Sequence, residues 1–398
     1  MASSQSVKEH VEIETKKDAP PSVIALDSRP GSFFSSSDHE EMEDYATESS
    51  TPPESHSPNM ASELDLHKIW NWNSKKPESV DSCVHDIFAE TVREHPDAPA
   101  ICAWDGEMTY SHVDELSTRL AHQLLNMGVR GTLIPLCFEK SKWVPIAALA
   151  VMKAGSASVA LDTTVPQERL KSIIDQISPK VILTSLCGQE LAHIITKAPV
   201  VLLSESNLDA IDMLDSSDIP TSVDPASALY LIFTSGSTGI PKGVIITHAN
   251  FSNAIKHQQH DLGFRKTSRV FDFVSYAFDV AWSNIIHTLT VGECLCIPRQ
   301  EDVDSLNVAK SISRQRVNCL HITPTVARLL EPRDLPTLEK VLFCGEPLKR
   351  ADAARWSPQC EVYNTYGPAE CTVISTMAMI DSSEVGEPSI STAIGAVA

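Results

Sequence analysis

Between Leu231 and Val244 an apolar run gives way to Thr234, Ser235, Gly236, Ser237, Thr238 and Gly239, then to a single Lys242 and a second apolar run, Val244 to Ile246. Glycines let a backbone approach a ligand closely, and Ser and Thr add hydroxyls without bulk. A loop of this composition offers its N–H groups to phosphate oxygens. Lys242 adds a cation suited to a polyphosphate. A Walker-type loop would place Ser or Thr straight after the Lys and open a helix there. Here Gly243 and a strand-like pattern follow, so the loop is expected to join two strands and to move over its ligand. Read alone, the string is also compatible with a flexible Ser/Gly hairpin.

Two more groups could do related chemistry. In the turn from Tyr363 to Glu370, the Tyr366 ring can stack on a purine while Asn364 reads its amino edge, and Glu370 offers a hard oxygen ligand to a cation such as Mg²⁺. The competing reading is an ordinary Tyr-Gly-Pro turn capped by an acid. Asp279 lies in the apolar run Phe273 to Trp282. A buried carboxylate needs a cation or hydrogen-bond donors, and the ammonium of an amino acid is such a cation. A capping Asp at a helix start is the alternative.

These groups need a scaffold, and the apolar periodicity supplies one. Order is expected from about Leu64 to Trp72, and a helix from Val84 to His95, then a strand from Pro99 to Trp104. Ser111 with Asp114 predicts a capping-box-like start to a helix with the apolar face Val113, Leu116, Leu120, Leu124 and Met127, ended by Gly128. Helix Trp143 to Ala154, strand Ser158 to Leu161, helix Gln167 to Ile177 and strand Lys180 to Thr184 follow. Such alternation predicts an α/β fold of open sheets with covering helices. With 398 residues, 42% of them hydrophobic, the chain can bury a substantial core.

Residues 1–62 are rich in Ser, Pro, Asp and Glu and poor in large apolar side chains, so a disordered arm is expected there and an ordered domain over 63–398. The net charge of −20 argues against nucleic acid or an anionic membrane as main partner. No apolar stretch reaches spanning length and no signal core opens the chain, which implies a cytoplasmic location. The ten cysteines are scattered through apolar runs without a zinc-like spacing, and are expected to be buried, reduced thiols.

The motifs also occur in a familiar order. Met108 to Leu116, Met152 to Asp162, Thr234 to Gly243, Thr247 to Asn250, Tyr276 to Asp279 and Tyr363 to Glu370 together resemble the core motifs of the adenylation domain of a nonribosomal peptide synthetase, a branch of the adenylate-forming (AMP-binding) superfamily. The phrasing Cys102-Ala-Trp-Asp-Gly and Gly367-Pro-Ala-Glu-Cys371 looks fungal. Ser158 and Ala160 depart from the usual second motif, where Tyr and Pro are common; both changes concern packing.

The resemblance implies the large N-terminal lobe of that fold, two α/β subdomains with covering helices. It implies adenylation of an amino acid by ATP, with Mg²⁺, to give aminoacyl-AMP and pyrophosphate. A carrier protein or other synthetase modules are the implied partners. Residue by residue, it gives Thr234 to Gly239 and Lys242 to the phosphates, Asn364 and Tyr366 to the adenine, Glu370 to the metal and Asp279 to the substrate ammonium. Val280, Ser283, His321, Leu342, Cys344, Thr365, Val373 and Ile374 would line the substrate side chain. That largely apolar wall suits a medium-sized or aromatic amino acid with at most one polar group, although His321 reads equally well as a core histidine.

No Lys, Arg or His follows Arg355, and the family's ribose-binding Asp, hinge Arg and C-terminal catalytic Lys have no counterpart in these residues. Weak nucleotide binding and little turnover by this chain alone are therefore expected. Two alternatives stand beside the adenylating ligase: a non-catalytic nucleotide-binding remnant, and an acyl- or aryl-acid ligase of the same superfamily. Asp279 discriminates against the last, because an acid without an α-amine does not need it.

Overall fold

The computed structural model describes residues 63–72, 74, 77–209, 222–234, 241–305 and 307–380. The expected arm over 1–62 and the phosphate-loop residues Ser235, Gly236, Ser237, Thr238 and Gly239 lie outside the described residues. The described residues form one compact unit.

In chain order the strands are β1 (Pro99–Ala103), β2 (Gly106–Thr109), β3 (Leu133–Cys137), β4 (Ala157–Ala160), β5 (Ile182–Thr184), β6 (Val200–Leu202) and β7 (Ala228–Thr234). They continue as β8 (Lys242–Thr247), β9 (Arg269–Phe271), β10 (Cys294–Ile297), β11 (Cys319–Ile322), β12 (Lys340–Phe343), β13 (Glu361–Tyr366) and β14 (Thr376–Met379). They make two sheets, ordered β14-β13-β12-β11-β9-β10-β1-β2 and β6-β5-β3-β4-β7-β8. Interior pairings are parallel; the edge pairs β1/β2, β13/β14 and β7/β8 are antiparallel. Parallel strands covered on both faces read as continuous apolar runs, and every residue of β10, β11 and β12 is buried. This is the expected α/β architecture.

Two helices are buried almost all round, as core helices must be. All residues of Trp143–Lys153 are buried, and so is the run Ala281 to Thr290 of the helix Asp279–Val291. Trp282 of that second helix stacks on Tyr230 of β7, with ring centroids 4.7 Å apart, so the helix packs against the second sheet while its first residue faces the site.

Local starts follow side-chain chemistry. The helix Tyr110–Asn126 is capped by Thr109, whose Oγ1 accepts from His112 N at 3.3 Å, so the expected start at Ser111 is corrected by two residues. Its end is as expected: Gly128 sits at φ +68°, where a side chain would be strained. Just after β8, Thr247 and Asn250 exchange capping hydrogen bonds at 3.0 and 3.1 Å and start the helix His248–Gln258. All ten cysteines are free; eight are buried, but Cys187 is exposed and Cys371 half-buried, which corrects the expectation of uniformly buried thiols. Among the described residues no helix is long and apolar enough to cross a membrane.

Candidate functional site

In open α/β sheets, ligands bind beyond the carboxyl ends of the strands. There the first sheet encloses a cavity of about 890 Å³. Its lining comes from the segments that leave β9 (Phe273, Val274, Ser275, Phe278), β11 (Thr323), β12 (Cys344, Gly345, Glu346) and β13 (Tyr366, Gly367), together with the first turn of the helix Asp279–Val291. Of the residues singled out from the sequence, the structure brings Asp279, Val280, Cys344, Asn364, Thr365, Tyr366, Val373 and Ile374 to this one cavity.

Asp279 is the first residue of its helix, and its Oδ1 accepts from Val280 N at 2.8 Å. Among the described residues no cation pairs with it. Burial pushes its carboxyl up from 3.8 to about 6; the backbone N–H groups of Val280 and Asp279 pull the other way, and the charge of Glu370 adds to the rise. A half-buried carboxylate held in this state is favoured by any ligand that brings a positive charge to it. The N-cap of this helix is Phe278, with no side-chain capping hydrogen bond, so Asp279 stands at the first helical position and the alternative of a capping Asp is corrected.

Much of the remaining lining is apolar, and some of its polar groups are already bonded. Thr365 Oγ1 donates to Phe343 O at 2.9 Å. Cys344 is buried, with its thiol pushed up to about 12 by burial and by the charges of Asp279 and Glu346. Thr372 and Val373 lie at φ 57° and 76°, costly for β-branched residues. The turn is tight because a Cβ on Gly367 would lie 2.3 Å from Val373 O. Ser283, His321 and Leu342 do not line the cavity; each is about 1% exposed. His321 lies 3.2 Å from Asn284 Oδ1, and burial lowers its pKa to about 4, so it is neutral. The Nε2 of His321 and the Oγ of Ser283 are buried without a protein partner.

On the outer side, Tyr366 is 57% exposed and Asn364 is buried beside it. Glu370 is exposed in the short turn Ala369–Cys371, and β8 packs against that turn. Lys242, the first residue of β8, is exposed and stands opposite Thr234 of β7, with Thr234 Oγ1 3.4 Å from Lys242 O. The loop thus connects two antiparallel strands, as Gly243 had implied.

Several lining residues were missed in the sequence. Glu346 is the most telling: its Oε2 accepts from Thr325 N at 3.0 Å and Thr325 Oγ1 at 2.6 Å, and Gly345 before it sits at φ +75°. The string Cys344-Gly-Glu-Pro347 at the end of an apolar strand was the available signal. Away from the cavity, Cys83, His85 and His248 bring three donor atoms together. Val84 N donates to His248 Nδ1 at 3.2 Å, which puts the ring proton on Nε2 and leaves that nitrogen a donor.

Residues 88–397 match the family described as AMP-binding enzyme. Over 334 residues the chain is 48% identical to the nonribosomal peptide synthetase ungA' of Aspergillus campestris, covering 84% of this chain and 4% of that protein. It is 44% identical to peramine synthetase A of Epichloe festucae, covering 85% of this chain and 12% of that one. The chain therefore spans only a small part of these curated relatives. Among solved structures, the nonribosomal peptide synthetase FmoA3 superposes with a TM-score of 0.75 at 20% identity, over 84% of this chain and 36% of that chain. The N-terminal subdomain of Klebsiella oxytoca NpsA, in complex with 3-hydroxybenzoyl-AMSN, gives 0.68 at 21%, over 79% and 81%. These two show a shared fold. Given the family match over most of its length, the chain belongs to the AMP-binding enzyme family, the ATP-dependent adenylate-forming ligases.

Proposed function

We propose that this chain recognises an amino acid and ATP for the reaction amino acid plus ATP to aminoacyl-AMP plus pyrophosphate, within a nonribosomal peptide synthetase. The observation that carries the reading is Asp279, a carboxylate on the cavity lining with no cation of its own among the described residues. An α-ammonium would supply the missing charge, while Val280, Cys344, Val373 and Ile374 would receive the side chain.

In this reading the substrate carboxylate points toward Tyr366 and Glu370. Tyr366 presents a ring for adenine, Asn364 an amide for its edge, and Thr234, Ser235, Gly236, Ser237, Thr238, Gly239 and Lys242 serve the phosphates. Glu370, exposed and in no salt bridge among the described residues, suits a Mg²⁺ ion, which would neutralise phosphate charge. Two anions must meet when a carboxylate attacks the α-phosphate, so the residues' work is positioning and charge neutralisation.

An aryl-acid ligase is the second reading, favoured by one observation: the similar NpsA subdomain was solved with a hydroxybenzoyl ligand. Asp279 argues against it here. The experiment for the nucleotide half is calorimetric titration with MgATP. The reading expects saturable heat that weakens about tenfold or more in Lys242→Ala. No heat at millimolar MgATP, from a sample with a cooperative melt, would contradict it.

A further inference from the structure

The segment from Asp272 to Asp279 forms one side of the amino-acid cavity, and a buried lysine from the other sheet holds it. Lys140 follows β3. Its ammonium lies 2.9 Å from Asp272 Oδ1, donates to Val274 O at 2.6 Å, and sits 3.9 Å from the centre of the Tyr276 ring. Tyr276 Oη donates to Asp272 Oδ2 at 2.6 Å. The Lys140 and Asp272 side chains are 2% and 0% exposed.

Lys140 is itself immobilised: its N–H donates to Gln300 Oε1 at 3.2 Å and its carbonyl accepts from Trp104 Nε1 at 2.7 Å. Two more bonds hold the segment, Ser275 Oγ to Asp162 Oδ2 at 3.2 Å and Trp282 Nε1 to Tyr276 O at 3.0 Å. A small cavity of about 180 Å³ beside Lys140 and Tyr276 shares Phe273, Ser275 and Val303 with the substrate cavity. The lysine thus stands behind residues whose other side meets the ligand space.

A buried ion pair gains little net stability over an apolar pair of the same shape, because desolvation offsets its attraction. What it does impose is one geometry. We infer that Lys140 is a positioning residue for the substrate amine: by clamping Asp272, Val274 and Tyr276 it fixes the path of the segment that delivers Asp279 to the cavity. This rests on the amino-acid reading above for its purpose, but the clamp can be tested without it.

Lys140→Met alone would strand a buried carboxylate, so the variant is Lys140→Met/Asp272→Leu, which removes both charges, with Tyr276→Phe as a milder second variant. Both are made in the full chain. Amide hydrogen exchange is read over 273–279 and over 133–137 as control, and equilibrium dialysis is run with MgATP and with a labelled mixture of the proteinogenic L-amino acids.

The expected result is exchange about tenfold or more faster over 273–279 with the control unchanged. Amino-acid retention should fall roughly ten- to a hundredfold at unchanged MgATP affinity. Parental exchange over 273–279 in the folded double variant, or equal losses for MgATP and amino acid, would overturn the inference. If the double variant does not fold, Tyr276→Phe decides by the same two readouts. A parent that retains no amino acid would count against the amino-acid reading, while exchange over 273–279 would still decide the clamp.

Discussion

In its ionised form Asp279 carries a desolvation cost that a cationic ligand would offset. An unfolded carboxyl ionises near 3.8 and this one near 6. The unfolded state therefore releases its proton first, and the stability of the empty protein falls as pH rises between those values. Above about 6 the deficit is complete, on the order of 2–3 kcal/mol. Asp279→Asn should therefore raise the melting temperature at pH 7 and leave it unchanged near pH 3, as scanning calorimetry can show. On the proposed amino-acid reading the ligand's ammonium needs the ionised form, so amino-acid affinity of the parent should drop about tenfold between pH 7 and pH 5. An Asp279→Asn variant no more stable at neutral pH would show that the carboxylate has a partner this account omits.

At the scale of elements, a second buried acid makes an independent test. Glu293 links the end of the helix Asp279–Val291 to β10 and is about 1% exposed. Burial pushes its pKa from 4.5 to about 8. The sign is again that of a raised acid: stability falls as pH rises from 4.5 to 8. Glu293→Gln should stabilise the protein on the order of 3 kcal/mol at pH 7 and have no effect near pH 4, measured by denaturant titration at both values. The elements themselves were largely legible, because apolar runs and Gly-ended helices carry strong local signals. Gly243 after Lys242 announced the β7/β8 connection. The helix start was misplaced because Thr109 and Ser111 are both competent caps, and their hydroxyls lie 3.0 Å apart. Loop residues such as Ser275 and Glu346 have no periodicity to betray them. The Lys140 and Asp272 pair is separated by 132 residues, so only the meeting of the two sheets reveals it.

The whole molecule brings Asp279 from the helix after β9 and Asn364 and Tyr366 from β13 to one cavity, and β8, which begins at Lys242, packs against the turn that carries Glu370. Only motif order points to Ser283, His321 and Leu342, and in the folded chain they are buried without lining the cavity. The apolar lining leaves the ammonium as the feature that most separates an amino acid from other acids. The most direct measurement is calorimetric titration, in the presence of a non-hydrolysable ATP analogue and Mg²⁺, of each proteinogenic L-amino acid against its des-amino counterpart. The account predicts that at least one amino acid binds about a hundredfold more tightly than its des-amino form, and that Asp279→Ala abolishes the difference. Des-amino acids binding as tightly as every amino acid tested would contradict it.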